Sequence, residues 1–442
     1  MSEETEDIVR AVMAEVTRDR LLETVCGLVD IPSPTGGERP AAEWIARELA
    51  GVGLEASAQV IDDAQANAVG VLPGPEDGPT VLLYAPIDTF TTGDAALDLP
   101  WAGPAMRDDM LPRARVHGDL VVGLAAGNPK GHAAAVMVAT EALARAGAPI
   151  AGDVVSGFGA GGMPSFVVPG VGVRGRENTG HGVGATFLLE RGFTTDHAVI
   201  AKPGWNVSHE EVGLVWIDVE VPGEPTYVGS RHRLPYRNAA SVAATVIERL
   251  EAWFEDYAAA HEVGSMRPQG VVSSVSGGFD RLAASTSALV RLRLDVRMTP
   301  DQTAPAVVRE VRAQARAVSD ELGLPIRVRQ IAAVPGTRTD RDAPIVRATT
   351  AAWEKVAGHP HELILANSGA TDANILRLRG VPTARVGMPK VLTAPDGSVV
   401  DFTLGMNIVD VNETRRLVEV LVRTVLNLRS MPDPDTATRR DG

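Results

Sequence analysis

GLAAGNPKGHAAAVMVATEALARAG, residues 123–147, carries a short apolar run, Leu120 to Val122, through a glycine-rich loop into a long helix of small residues starting near Lys130. Ala134, Val138, Ala142 and Leu143 fall at helical rather than strand spacing. The first turn of such a helix has backbone N–H groups without intrahelical partners and the positive end of the helix dipole. Asn128, Lys130 and His132 stand beside it. Polar side chains at a strand-to-helix switch, beyond the carboxyl ends of a sheet, mark where an α/β domain usually keeps its ligand.

A second apolar run, TVLLYAPID over Thr80 to Asp88, reads as a buried strand ending in Pro86, Ile87 and Asp88. Residues 6 to 30 read as one amphipathic helix, the loop IPSPTGGERP follows, and Ala41 to Ala50 form the next helix. Leu54 to Val60, Ala68 to Leu72, Asp153 to Phe158 and Ala198 to Ile200 read as strands. This alternation predicts an α/β fold, a sheet covered by helices. Residues 159–184 interrupt it: nine glycines and two prolines in 26 residues exclude regular structure, yet Arg174, Arg176, Glu177, Asn178 and His181 lie among them. A loop of that length inside a compact domain is usually functional or disordered.

From Gly213 the character changes. Strand GLVWIDVEVPG, a helix over Asn238 to Ala260, strands VVSSVSGG and ALVRLRLDVRM, a helix over Pro300 to Glu321 and strand IRVRQIAAV follow one another. That β-α-β-β-α-β order predicts a small two-layer α+β domain. The chain then returns with a helix over Ala343 to Val356, a strand over Leu363 to Ala366 and a closing helix over Asn412 to Leu428. The expected organisation is a discontinuous α/β domain over 1–213 and 334–442, an inserted domain over 214–333, and a flexible tail over 431–442.

At 442 residues two domains are expected, and no apolar run approaches membrane-spanning length. The opening MSEETEDIVRAVMAEV reads as an acidic helix rather than a signal peptide. The single cysteine, Cys26, excludes an internal disulfide, suits a reducing cytoplasm and sits in an apolar helical pattern. The balance of 42 basic against 56 acidic residues gives −14, with no Lys/Arg run interleaved with aromatics, so neither nucleic acid nor membrane is an expected partner.

The strand, the glycine-rich loop and the helix together resemble the zinc-dependent family of aminoacylases, acetylornithine deacetylases, glutamate carboxypeptidases and dipeptidases. That family reads a strand, then Gly-His-x-Asp, then an Asp-x-Lys-Gly loop opening a helix. Here the strand, the spacing, Asp88, Lys130 and Gly131 match. The IPSP-TGGE opening, the Asn238-Ala239 pair of the inserted domain and NSGATDANILRLRGVPTARVG match as well. The resemblance implies a mixed sheet covered by helices, an inserted lid domain through which two copies pair, two zinc ions and hydrolysis of amide-type C–N bonds. At the implied ligand positions, however, stand Pro86, Asn128, Met163, Lys202 and Thr403. Zinc needs N, S or carboxylate donors, so the sequence reads as a divergent member without the metal ligands and with no cofactor.

Candidate site residues follow from these positions. Asp88, no longer orienting a histidine, is a base or the partner of a buried lysine. Lys202 is a fixed charge in the vacated metal position or a counter-ion to Asp88. Asn128 and Lys130 are donors at the helix start, or structural. His132 reads as a packed core histidine. His181, in the loop expected to overlie the pocket, is a general acid/base or a locally packed residue. Tyr227 stands at the lid-histidine position, with His232 as a substitute. Arg231, Arg237 and Asn238 suit a substrate carboxylate or serve as caps and solvated charges. Ser368, Thr371 and Asp372 match a pocket loop of the family or form a turn and cap. His359 and His361, like His209 with Glu210 and Glu211, read as surface or hinge groups. The leading expectation is a metal-independent enzyme, with Asp88, His181, Lys202 and Lys130 catalytic, that hydrolyses a C–N bond of a small carboxylate-bearing molecule. The alternatives are an inactive homologue that binds a ligand or partner, and a conventional dizinc hydrolase.

Overall fold

A computed structural model describes residues 3–99 and 102–429, and the tail expected over 431–442 lies outside the described residues. The chain forms two compact units, residues 1–209, 339–363 and 371–442 in one and residues 210–338 with 364–370 in the other.

The first unit is built on a seven-stranded mixed sheet in the order Glu55–Val60, Ala66–Leu72, Val154–Gly159, Val81–Pro86, His197–Ala201, Thr383–Val386, Val207–Ser208. The four strands from Val154–Gly159 to Thr383–Val386 are mutually parallel, and the outer pairings are antiparallel. Along Val81–Pro86 successive side chains point to opposite faces. Val81, Leu83 and Ala85 join the larger core, while Leu82 and Tyr84 join a smaller one beneath the helices Val183–Glu190 and Ala373–Leu378. Both faces are therefore covered, and every residue of Val81–Pro86 is buried. The central helix, Gly131–Arg145, is buried from Gly131 to Leu143. Its alanines allow close approach to the sheet and to the helices Arg18–Asp30 and Val411–Leu428.

The second unit carries a four-stranded antiparallel sheet, ordered Gly270–Gly277, Leu289–Met298, Gly213–Pro222, Arg327–Val334, and the helices Ala239–Ala260 and Ala304–Leu322. Inward residues such as Val215, Ile217, Leu292 and Leu294 pack against those helices in one core. This is the expected β-α-β-β-α-β layer pair.

Three local expectations are corrected. The N-terminal helix is two helices, Glu3–Ala14 and Arg18–Asp30, because the Thr17 hydroxyl accepts the Arg20 N–H and restarts the chain as an N-cap. The helix expected from Pro300 begins at Ala304, capped by Thr303. No strand forms over 363–366: Ala366 has φ +56°, a left-handed conformation that no strand residue adopts, and Leu365 is 70% exposed. Residues 364–370 instead belong to the second unit, where Asn367 exchanges backbone hydrogen bonds with Ser265 and Arg267.

Candidate functional site

Two buried polar clusters lie in the first unit, beyond the carboxyl ends of its parallel strands. The first centres on Asp88, two residues past the end of Val81–Pro86 and fully buried. Its carboxylate accepts from the Thr35 hydroxyl at 2.8 Å, from Gly162 N–H at 2.9 Å and from Met163 N–H at 3.0 and 3.1 Å. Glu38, equally buried, accepts from the N–H of Gly36 at 3.1 Å and of Gly161 at 2.9 Å, and from the Gln65 amide. That same Gln65 amide donates to Thr179 O at 2.8 Å. The two carboxyl groups and Gln65 therefore hold both ends of the glycine-rich 159–184 segment. Burial raises the pKa of both carboxyls, and the charge of Asp88 raises Glu38 further; Thr35, Lys202 and the loop N–H groups oppose the rise at Asp88. Only glycine serves at 162, because a Cβ there would lie 2.3 Å from Pro86 Cβ and 2.6 Å from Asp372 Oδ2.

The second cluster sits at the head of the central helix. Asn128 holds an extended backbone, φ −159°, directly before Pro129. Its Nδ2 points to Met406 Sδ at 3.6 Å, and its buried Oδ1 has no hydrogen-bond partner. The chain passes closely enough here that a Cβ on Gly127 would lie 2.4 Å from Gly405 O. His132 is 2% exposed, and neither ring nitrogen makes a hydrogen bond. Burial and then the charges of Lys202 and Arg385 push its pKa down to about 3; the Gly127 main chain opposes this without reaching hydrogen-bond geometry. The ring is therefore neutral at physiological pH.

Two cavities meet at this cluster. The smaller, about 210 Å³, is lined by Thr89, Phe90, Asn128, Met163, Thr403 and Met406 among others. The larger, about 350 Å³, is lined by Asn128, His132, Met388, Val391, Phe402 and Met406 among others. Asn128, Phe402 and Met406 belong to both walls.

The sequence-derived site residues are distributed unevenly around this geometry. Asp88 and Lys202 are brought together electrostatically, Lys202 lying just past His197–Ala201 with its N–H on Val386 O. Lys130 is directed elsewhere: its buried ammonium donates to Ile31 O at 2.8 Å, and burial lowers its pKa to about 7. His181, at φ +58°, donates its N–H to Met163 O and rests its ring 5.6 Å from Phe166. It lines neither cavity, whereas Met163, from the same loop, lines the smaller one. Asp372 accepts from Tyr84 OH at 2.7 Å, and Thr371 Oγ1 accepts from Ala373 N–H.

Tyr227, Arg231, His232, Arg237, Asn238 and Ser368 all belong to the second unit. There Arg231 lies over the Tyr236 ring, Arg237 pairs with Glu224 at 3.6 Å, Asn238 caps Ala239–Ala260, and Ser368 accepts from Gln269 N–H. His232 is exposed, and Tyr227 is 63% exposed. Sequence reasoning missed Glu38, Gln65 and Arg385. The glutamate of IPSPTGGE was the one available signal, since its acidic side chain in a glycine turn needs donors.

The resembled family holds a zinc pair with imidazole and carboxylate donors. Here Pro86, Asn128, Met163, Lys202 and Thr403 offer an amide, a thioether, a hydroxyl and a cation, a set that zinc does not take. Among the described residues no group of three or more His, Cys, Asp or Glu side chains is placed to hold a metal ion. The residues present do not fit a zinc pair.

No protein-family model matches the sequence. Solved peptidase structures do share the architecture, and the chain has the fold of M20 family peptidases. The di-peptidase Dug1p from Saccharomyces cerevisiae superposes with a TM-score of 0.72 at 11% identity, over 96% of this chain and 99% of that one. Human carnosine dipeptidase 1 gives 0.70 at 13%, over 96% and 99%. An M20 family metallo-carboxypeptidase from Sulfolobus solfataricus gives 0.67 at 12%, over 93% and 99%. At these identities the likeness is one of fold, and activity has to be argued from side chains.

Proposed function

We propose that this protein uses a peptidase fold to bind a small molecule in the two cavities at the head of the central helix, without a metal pair and without hydrolysing it. The observation that carries this reading is a separation of roles. Asn128 and His132, which line the cavities, carry buried polar atoms without a hydrogen-bond partner, whereas Asp88 lies buried under three donors. A general base must reach the water it activates. Asp88 does not line the cavities, and an imidazole with a pKa near 3 is too weak a base to serve in its place. Thermal-shift screening against small amides, N-acyl amino acids and dipeptides is expected to find stabilising ligands, with product analysis of every hit showing no turnover. Turnover of a hit would overturn the reading.

A second reading, metal-free hydrolysis of a C–N bond, is favoured by one observation: the positive charge of Lys202 acts on the buried carboxyl of Asp88 and opposes the rise of its pKa. It requires activity that survives excess chelator and disappears in Asp88→Asn. The same proposal takes the protein as cytoplasmic and as a pair of copies joined through the second unit. The edge strand Gly270–Gly277, with exposed Val271 and Val275, supports that pairing. Sedimentation of Val275→Lys tests it, since a wild-type monomer would end that part of the reading.

A further inference from the structure

A buried polar atom without a hydrogen bond destabilises a fold, so each such atom in a cavity wall calls for a partner. The larger cavity has two such side chains in its wall, Asn128 and His132, each more than nine-tenths buried. Asn128 Oδ1 accepts only. A neutral imidazole offers one N–H donor and one acceptor nitrogen. The complementary ligand group presents a donor and an acceptor side by side. At about 350 Å³ the cavity has room for far more than one water, which takes about 30 Å³ in the liquid.

The surroundings select against a cation, and the pairing of acceptor and donor selects against a group that only accepts. A cationic head meets the field of Lys202 and Arg385, which already keeps His132 unprotonated. A carboxylate head is favoured by that same field and by Lys390 in the wall, but it has no donor for Asn128 Oδ1 and sets acceptor against acceptor. Most of the rest of the wall is apolar, with Met388, Val391, Phe402 and Met406 among its side chains, and Lys390 and Asp401 also line it.

We propose that the larger cavity binds an uncharged amide-type group, its N–H donating to Asn128 Oδ1, its carbonyl accepting from the His132 ring, and its apolar body lying against Met388, Val391, Phe402 and Met406. This rests on the ligand-binding reading above and names the chemical class that the site takes.

The test titrates the full chain, labelled with ¹⁵N-histidine, with three matched probes: hexanamide, its near-isostere hexanoate, and hexylammonium. Hexanamide is expected to shift the His132 ring nitrogens saturably, and Asn128→Leu is expected to weaken that binding about tenfold or more. Melting curves establish that the variant is folded. If Asn128→Leu does not fold, His132→Phe, read by saturation-transfer from the hexanamide protons, is expected to show the same loss. Preferential binding of hexanoate or hexylammonium at His132 would overturn the amide assignment and leave the ligand-binding reading intact. Absence of any His132 response to all three probes would also overturn the assignment. The broader reading falls if the thermal-shift screen is silent as well, or if a hit is turned over.

Discussion

The two buried polar clusters of the first unit lie near each other and share Lys202 as an electrostatic neighbour, yet they are finished differently. Around Asp88 and Glu38 the carboxylate oxygens meet backbone N–H groups, a hydroxyl or an amide. Asn128 Oδ1 and both ring nitrogens of His132 have no hydrogen-bond partner in the protein. A satisfied buried network fixes a conformation, here the ends of the 159–184 segment. An unsatisfied one is held at a cost that a ligand relieves. The difference separates groups that build the site from groups that serve it, even though both stand where the resembled family keeps catalytic machinery.

The largest expected effect strikes the satisfied cluster. Asp88→Ala leaves the N–H groups of Gly162 and Met163 buried without an acceptor, while the Thr35 hydroxyl keeps only its longer bond to Thr89 O at 3.3 Å. It is expected to destabilise the first unit by about 3 kcal/mol or more in chemical denaturation. A neutral result would mean that the clamp does not hold the loop.

Next comes the acid side of the second cluster. The folded state keeps His132 near a pKa of 3 against 6.5 in the unfolded chain, so the unfolded state binds the extra proton between those values. Stability should fall as pH drops from about 6.5 toward 3, by up to about 1.4 kcal/mol per pH unit, and His132→Gln should remove that contribution. Melting curves from pH 7 to 4 on both proteins check it; identical slopes would contradict the buried neutral ring.

The satisfied cluster has the opposite sign. Glu38 titrates above its ordinary 4.5 in the folded chain, so the folded state binds more protons and stability falls as pH rises through that shifted range. Glu38→Gln is expected to flatten this loss, which runs at up to about 1.4 kcal/mol per pH unit. A steeper loss in the variant would place the raised pKa elsewhere. The smallest effect belongs to Lys130. Its pKa near 7 against 10.5 makes stability rise with pH between those values, and Lys130→Met should abolish the rise while changing stability at pH 8 by about 1 kcal/mol or less. A large loss of stability would show that its bond to Ile31 outweighs its desolvation.

Much of the architecture was legible because local signals agreed with one another. The run Thr80 to Asp88, the loop before Gly131 and the alanine-rich helix specify a strand, a turn and a buried helix without reference to distant residues. The inserted domain followed from strand and helix order alone. What escaped depends on partners far along the chain. Nothing in HAAAVM reveals that His132 is buried near Lys202 and Arg385, or that residues 388–409 wall its cavity. Nothing beside Lys130 shows that its ammonium turns to Ile31. The break at Thr17 was masked because Val12, Met13 and Val16 continue the apolar pattern through it and are all buried. The absent strand at 363–366 reads as apolar in sequence, but its residues cross to the second unit through a left-handed turn at Ala366.

The most direct test is one diffraction data set, collected at the zinc absorption edge from crystals grown with both zinc and hexanamide. Density for the amide between Asn128 and His132 is expected, with no anomalous peak beside Asp88. Two anomalous peaks there, with the Asn128–His132 cavity empty, would contradict that expectation.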